Sequence, residues 1–390
     1  MHLVIEAEAL RAETRGARTD RERLAEVRAR AKVDAHARHD HEQLLERLDL
    51  EHVPHVCDAG ILEVREVDGV VHVSEGVEVA EGDRLRDDVT EPVHSGMVAS
   101  GFFVAGHKTR EAIFAQPEWL RGVPERVGGR RLPAGRVIFT GCGTSFHAAQ
   151  TGGEAMQALE VVLGPPDVDL LVAVSHEGET PLTLEAARAF AGQTWLVTGT
   201  AESPLAELAD EVVVATPAVE ESYCHTASYT CAVAALAALR GASVEWLPAA
   251  VTTALADPWP ASDHERIVVA GAGRDWPTAQ EAALKLREGA FVAAEAHHTE
   301  ELLHGHLAAI DETVRAFVLG GEGRAFERAS DAARALEALG RDVTLLSTQD
   351  PVVDIVRFQL LTVDLAERRG VDPDLIRRDD PRWEAARNAY

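Results

Sequence analysis

Apolar and polar residues alternate along Ile61–Val67 and again along Val70–Val79, with Asp68-Gly69 between them. That pattern predicts a β-hairpin. Farther along, the alternation gives way to short apolar runs that each end in a polar turn. One starts at Arg136 and ends in Gly141-Cys142-Gly143-Thr144-Ser145; others are Asp169–Val174, Thr194–Thr198 and Glu211–Ala215. A second set lies near 266–270, 313–319 and 342–346. Helical stretches of about 10 to 15 residues separate the runs, so the pattern predicts an α/β fold with parallel strands covered on both faces. Ligands in such folds bind beyond the carboxyl ends of the strands, where the polar turns fall. The pattern recurs after about 110 to 130 residues, as an internal duplication would.

The expected organisation is therefore an α+β appendage at 1–95, a first α/β domain at 102–250, a second at 255–370 and a tail at 371–390. Within the appendage, Thr19-Asp20 is positioned to cap a helix reaching about Leu48. The helix containing Lys108–Leu120 is expected to kink or restart at Pro117. Val352–Arg369 reads as a helix, and the polar residues after Val371 as an extended tail.

Composition narrows the function. The chain has 390 residues, 46% hydrophobic and 26% charged, with a formal net charge of −27. That balance suits a soluble protein and argues against nucleic-acid or acidic-membrane partners, which require clustered Lys and Arg. No apolar run reaches the ~18 residues of a membrane span, and no secretory leader is evident, so a cytoplasmic location is expected. Cys57, Cys142, Cys224 and Cys231 show no metal-binding spacing and read as free thiols. His36, His39 and His41 read as a solvated helix face, so neither metal nor cofactor is expected.

Only three lysines occur: Lys32, Lys108 and Lys285. Lys285 lies on a helix with Glu281 and Glu288, at i, i+4 and i+7, so the three share one face. Periodicity alone reads this as a solvated charged stripe. Seryl and threonyl turns at strand ends read alone as helix caps. In combination they offer several donors to one anion.

Several ordered motifs give these residues a different meaning. Glu281–Glu288, Ala294-Glu295-Ala296 and Glu301-Leu-Leu-His304-Gly305 resemble E-x-A-L-K-L-K-E, A-E-A and E-L-K-H-G of the sugar isomerase (SIS) domains in the glucosamine-6-phosphate synthase family. The first half is similar in the same order. Gly141–Ser145 matches C-G-T-S, Ser175–Thr180 matches S-Q-S-G-E-T, and Ser203–Asp210 matches S-P-L-A-x-x-A-D. The resemblance covers about 102–374 and implies two tandem SIS domains, each a parallel sheet flanked by helices. It further implies a sugar-phosphate substrate and an aldose–ketose isomerase or aminosugar-phosphate-converting enzyme. In that reading Glu288 shuttles a proton between C1 and C2, His304 opens the ring, and Glu281 and Lys285 orient or neutralise them. Gly143, Thr144, Ser145, Ser175, His176, Glu177 and Thr180 form the phosphate side, with His225 on the ligand wall. The family also implies a homodimer sharing its active site.

There are departures. No glutaminase segment is recognised at the start, where position 2 is His rather than the nucleophilic Cys. His176-Glu177 stands where the family has Gln-Ser, and Tyr223-Cys-His-Thr-Ala227 where it has V-A-S-T-K. The tail has Arg377-Arg378 but no lysine, and arginine forms no imine at working pH. A sugar-derivative-binding regulatory module that has lost catalysis is therefore the alternative.

Overall fold

The computed structural model describes residues 105–261 and 264–389, together with the backbone of three strands between 55 and 76. The chain divides into two compact units, 1–98 and 99–390. In the first unit, β1 (His55–Cys57), β2 (Gly60–Val67) and β3 (Val70–Gly76) form an antiparallel sheet in the order β1-β2-β3. β2 and β3 pair antiparallel up to Val67 and Val70, in keeping with the hairpin that the alternation predicts. The expected helix from Thr19 and the three neighbouring histidines lie outside the described residues.

The second unit begins with α1 (His107–Arg121) and α2 (Val123–Val127). There follow β4 (Val137–Gly141), α3 (Thr144–Gly152), β5 (Ala155–Gln157), α4 (Ala158–Leu163), β6 (Leu170–Val174) and α5 (Pro181–Ala189). Then come β7 (Gln193–Thr198), β8 (Glu211–Val214), α6 (Ala227–Leu239) and α7 (Leu247–Leu255). The first five-stranded sheet has the order β5-β4-β6-β7-β8, parallel throughout. The remainder comprises β9 (Arg266–Gly271), α8 (Trp276–Ala290), β10 (Ala293–His298), α9 (Thr299–Leu303), β11 (Val314–Gly320) and α10 (Arg324–Ala338). It ends with β12 (Asp342–Ser347), α11 (Pro351–Arg369) and α12 (Pro381–Arg387). The second sheet is also parallel, ordered β10-β9-β11-β12.

In each sheet the first strand in sequence lies inside. β4 and β9 are hydrogen-bonded on both edges, and their apolar runs are buried. One apolar core joins the two halves: Phe139 and Val172 of the first sheet, Val269 and Phe317 of the second, with α6, α8 and α11 between. The alanine-rich α6 is apolar on every side and buried accordingly, as the middle helix of such an arrangement must be. Phe317, Phe358 and Trp259 interlock at centroid separations of 4.8–5.2 Å.

Two expectations need correction. Helix α1 runs uninterrupted through Pro117. Pro117 lacks the N–H that would reach the carbonyl of Ile113, and the side-chain amide of Gln116 donates there instead, at 2.9 Å. The tail is not extended. It forms turns and then α12, and Asp374 is buried. Its carboxylate accepts hydrogen bonds from the backbone N–H groups of Lys108 and Thr109 and from Thr109 Oγ1, at 2.6–3.0 Å. A carboxylate therefore caps the first turn of α1 from the far end of the chain.

Candidate functional site

The turn after β4 packs so closely on the strand ends that a Cβ on Gly141 would lie 2.9 Å from the Val174 carbonyl oxygen. Gly143 follows with φ 55°, a left-handed conformation suited to glycine, and opens α3. Thr144 and Ser145 therefore stand in the first turn of α3, where the N–H groups of Ser145, Phe146 and His147 already donate to the carbonyls of Cys142 and Gly143. The turn after β6 is built alike. Ser175 is buried, its hydroxyl is 3.4 Å from Thr180 Oγ1, and Gly178 takes φ 68°. A Cβ on Gly178 would strike Ser203 Oγ at 2.1 Å, which locks this turn against the Ser203 loop. Glu177 is exposed, so its carboxylate stands outside the hydroxyl group cluster.

The face of α8 is not a solvated stripe. Glu281 is fully buried and Lys285 is 1% exposed. The Lys285 ammonium lies 2.8 Å from Glu288 and 3.5 Å from Glu281. Burial alone would push Lys285 down, but Glu288 and Glu281 outweigh it and hold the ammonium above the ordinary lysine range. A lysine kept protonated orients carboxylates and is no nucleophile. Glu281 also reaches the first half, accepting from Thr144 Oγ1 at 3.2 Å and meeting His147 Nδ1 at 2.8 Å. The hydroxyl-rich turn and the charged helix face are thus joined directly. His147 had no motif to mark it; its position three residues after Thr144, on the same face of α3, was the available signal.

His304 does not join this group within one chain. Its side chain is 75% exposed and 3.3 Å from Glu300. Cys224, by contrast, sits against the cluster, and burial pushes its thiol up to about 12. Cys142, Cys224 and Cys231 are free thiols.

His176 and His225 meet edge to face, with centroids 5.0 Å apart. The backbone N–H of Glu220 donates to His176 Nε2 at 2.9 Å, which fixes a neutral ring with its proton on Nδ1. Burial, then His225, hold His176 down at about 4, against the pull of Glu220. His225 is likewise held at about 4, by burial and then by Lys285. Glu220 is itself buried. It accepts from Thr226 N, Thr226 Oγ1 and Ser228 N, each at 2.8 Å, and so caps α6. No motif marked it in the sequence.

This neutral imidazole has a measurable signature. Between about pH 6.5 and 4 the unfolded chain carries a proton on His176 that the native chain rejects. Stability from this group is therefore complete above about 6.5 and is lost as the pH falls. His176→Gln keeps an acceptor for Glu220 N–H but removes the titration. Relative to that variant, wild type should lose up to about 1.4 kcal/mol per pH unit across the window. Asp354, raised to about 7 by burial, acts in the opposite sense but is common to both proteins. Urea melts at pH 7, 6 and 5 measure the difference, and a constant difference would mean that His176 charges freely in the native state.

The SIS domain profile matches residues 262–371. Glutamine–fructose-6-phosphate aminotransferase of Zymomonas mobilis is 28% identical over 80% of this chain and 64% of its own length. The same enzyme of Gloeobacter violaceus is 27% identical over 61% of this chain and 50% of its own. The chain thus spans about two thirds of the first relative and half of the second. Among solved structures, the C-terminal domain of glucosamine-fructose-6-phosphate aminotransferase from Francisella tularensis shares the fold. Its TM-score is 0.58 at 22% identity, over 69% of this chain and 98% of that one. Tagatose-6-phosphate ketose/aldose isomerase from Escherichia coli also has a TM-score of 0.58, at 17% identity, over 70% of this chain and 95% of that one. Among the described residues no helix is long and apolar enough to cross a membrane.

Proposed function

We propose that this chain, whose residues 262–371 are an SIS domain, is an isomerase-type enzyme acting on a sugar phosphate. The observation that carries the reading is the buried contact of Glu281 with Thr144 and His147, which joins the hydroxyl-rich turns to the Glu281–Lys285–Glu288 face. Residues 102–250 are proposed as a further SIS domain beside the matched one. The phosphate is assigned to the hydroxyls of Thr144 and Ser145 at the N-terminus of α3 and to those of Ser175 and Thr180. The exposed Glu177 leaves that place free of a competing carboxylate.

Glu288 is the base of the proposed reaction. It is partly exposed, at 29%, and accepts the Lys285 ammonium, which keeps its carboxylate oriented. The carboxylate takes the proton from C2 of the open-chain aldose while O1 gains a proton, which gives the C1–C2 enediol. Glu288 then returns its proton to C1 as O2 loses its hydroxyl proton, which replaces the one taken up at O1. Ring opening is assigned to His304 of a second copy, since His304 stands outside the cluster of its own chain. A homodimer is part of this proposal.

Thermal unfolding with hexose 6-phosphates and the corresponding free sugars tests the reading. A phosphorylated ligand at about 100 times its Kd should add about 2.7 kcal/mol, while the free sugar adds far less. Equal shifts from both would remove the phosphate from the site. The alternative, a sugar-derivative-binding module without catalysis, draws on the exposed His304 and the absent tail lysine. Binding without interconversion of aldose and ketose phosphates would favour it.

A further inference from the structure

A small recess of about 20 Å³, room for one oxygen-sized group, lies among the carboxyl ends of the first sheet and helices α3 and α6. Thr144, Ser145, His176 and His225 line it, and Thr144 bonds to Glu281 at 3.2 Å, so it borders both the proposed phosphate turn and the α8 cluster. Its remaining lining includes Thr216 and Tyr229, which no sequence motif marked and the proposed reaction does not use. Both are buried, at 2% and 1% exposure, and neither Thr216 Oγ1 nor Tyr229 OH has a hydrogen-bond partner among the described residues. A buried hydroxyl left unpaired costs about 1–3 kcal/mol, and two lining one pocket point to a polar group that belongs there.

The lining also states what kind of group. It contains no Asp, Glu, Lys or Arg. The carboxylate that bears most on the Tyr229 phenol, Glu281, is already shared among Thr144, His147 and Lys285. Burial and the surrounding carboxylates keep that phenol protonated, so it is a donor seeking an acceptor. An ammonium offers only donors and would find no counter-charge, while Lys285 and Arg378 already act as cations on His225. An uncharged oxygen accepts from Tyr229, and a sugar hydroxyl also pairs with Thr216 in either sense. Thr144 in this lining bonds to Glu281, which pairs with Lys285, so the recess adjoins the proposed C1–C2 chemistry and C2 is the position read.

We infer that Thr216 and Tyr229 recognise an oxygen substituent at C2, so that the substrate class is a neutral hexose phosphate and not an aminosugar phosphate. The inference rests on the sugar-phosphate reading and narrows it.

Calorimetric titration of the full chain at about pH 6.5 with glucose 6-phosphate, glucosamine 6-phosphate and inorganic phosphate tests it. Wild type should bind glucose 6-phosphate about 10-fold or more tightly than glucosamine 6-phosphate. Tyr229→Phe removes only the hydroxyl. It should weaken glucose 6-phosphate about 5- to 10-fold and leave inorganic phosphate unchanged, with Thr216→Val acting in the same direction. Tighter or equal binding of the aminosugar by wild type would overturn the inference. So would a glucose-to-glucosamine ratio that both variants leave intact. Either of those results leaves the sugar-phosphate reading standing. If neither sugar phosphate binds wild type, that reading falls and takes the inference with it.

Discussion

Lys285→Met should lower the unfolding free energy by about 3–5 kcal/mol, because it strands the buried Glu281 carboxylate without its ammonium. Methionine fills most of the lysine volume, so the loss is electrostatic and not a cavity effect. Adding Glu281→Gln should recover part of the loss, since the uncompensated charge is then gone. Chemical denaturation of the three proteins measures both steps. A loss below about 1 kcal/mol in the single variant would show that Lys285 does not compensate a buried charge on Glu281.

Glu288→Gln should lower turnover of a sugar phosphate about 10²-fold or more while leaving its binding nearly intact. The amide keeps the shape and can still meet Lys285, but it cannot take a proton. Because Glu288 is partly exposed and lies at the edge of the cluster, its replacement strands less charge than that of Glu281. Steady-state kinetics beside ligand-induced thermal shifts separate the two effects. Undiminished turnover would move the base to another residue; turnover and binding lost together would make Glu288 a binding group.

The parallel sheets were legible because their inner strands are continuous apolar runs, and β4, β6, β9 and β11 lie where those runs fall. The outer strands β5 and β10 were missed for a physical reason. Ala155–Gln157 is three residues long, and Ala293–His298 reads AAEAHH, a composition with little strand preference. Parallel pairing with β4 and β9 overrides that preference. The Glu281–Lys285–Glu288 stripe shows the limit of periodicity in another way. Spacing gives the shared face, but not what the face meets, and here it meets α3 and not water. Motif spacing supplied the hydroxyl-rich turns. His147, Glu220, Thr216 and Tyr229 carry no motif, and their placement depends on pairing between distant elements. The tail was misread because its polar residues are consumed internally, with Asp374 satisfied by α1 and not by solvent.

That last contact bears on how the molecule comes into being. Thr109 and Asp374 are 265 residues apart, and the backbone N–H of Tyr223, next to the His225 loop, bonds to the carbonyl of Asp374. The Tyr223 ring also carries the Arg378 guanidinium 3.9 Å from its centroid. A chain emerging from the ribosome therefore makes both sheets before it possesses the residues that fasten the ligand wall. Contacts of such long separation are the slow ones to close. A chain halted before residue 374 would hold the strands of both sheets and lack the contacts that fix α1 and the Tyr223–His225 segment, so this part of the molecule is completed after its sheets.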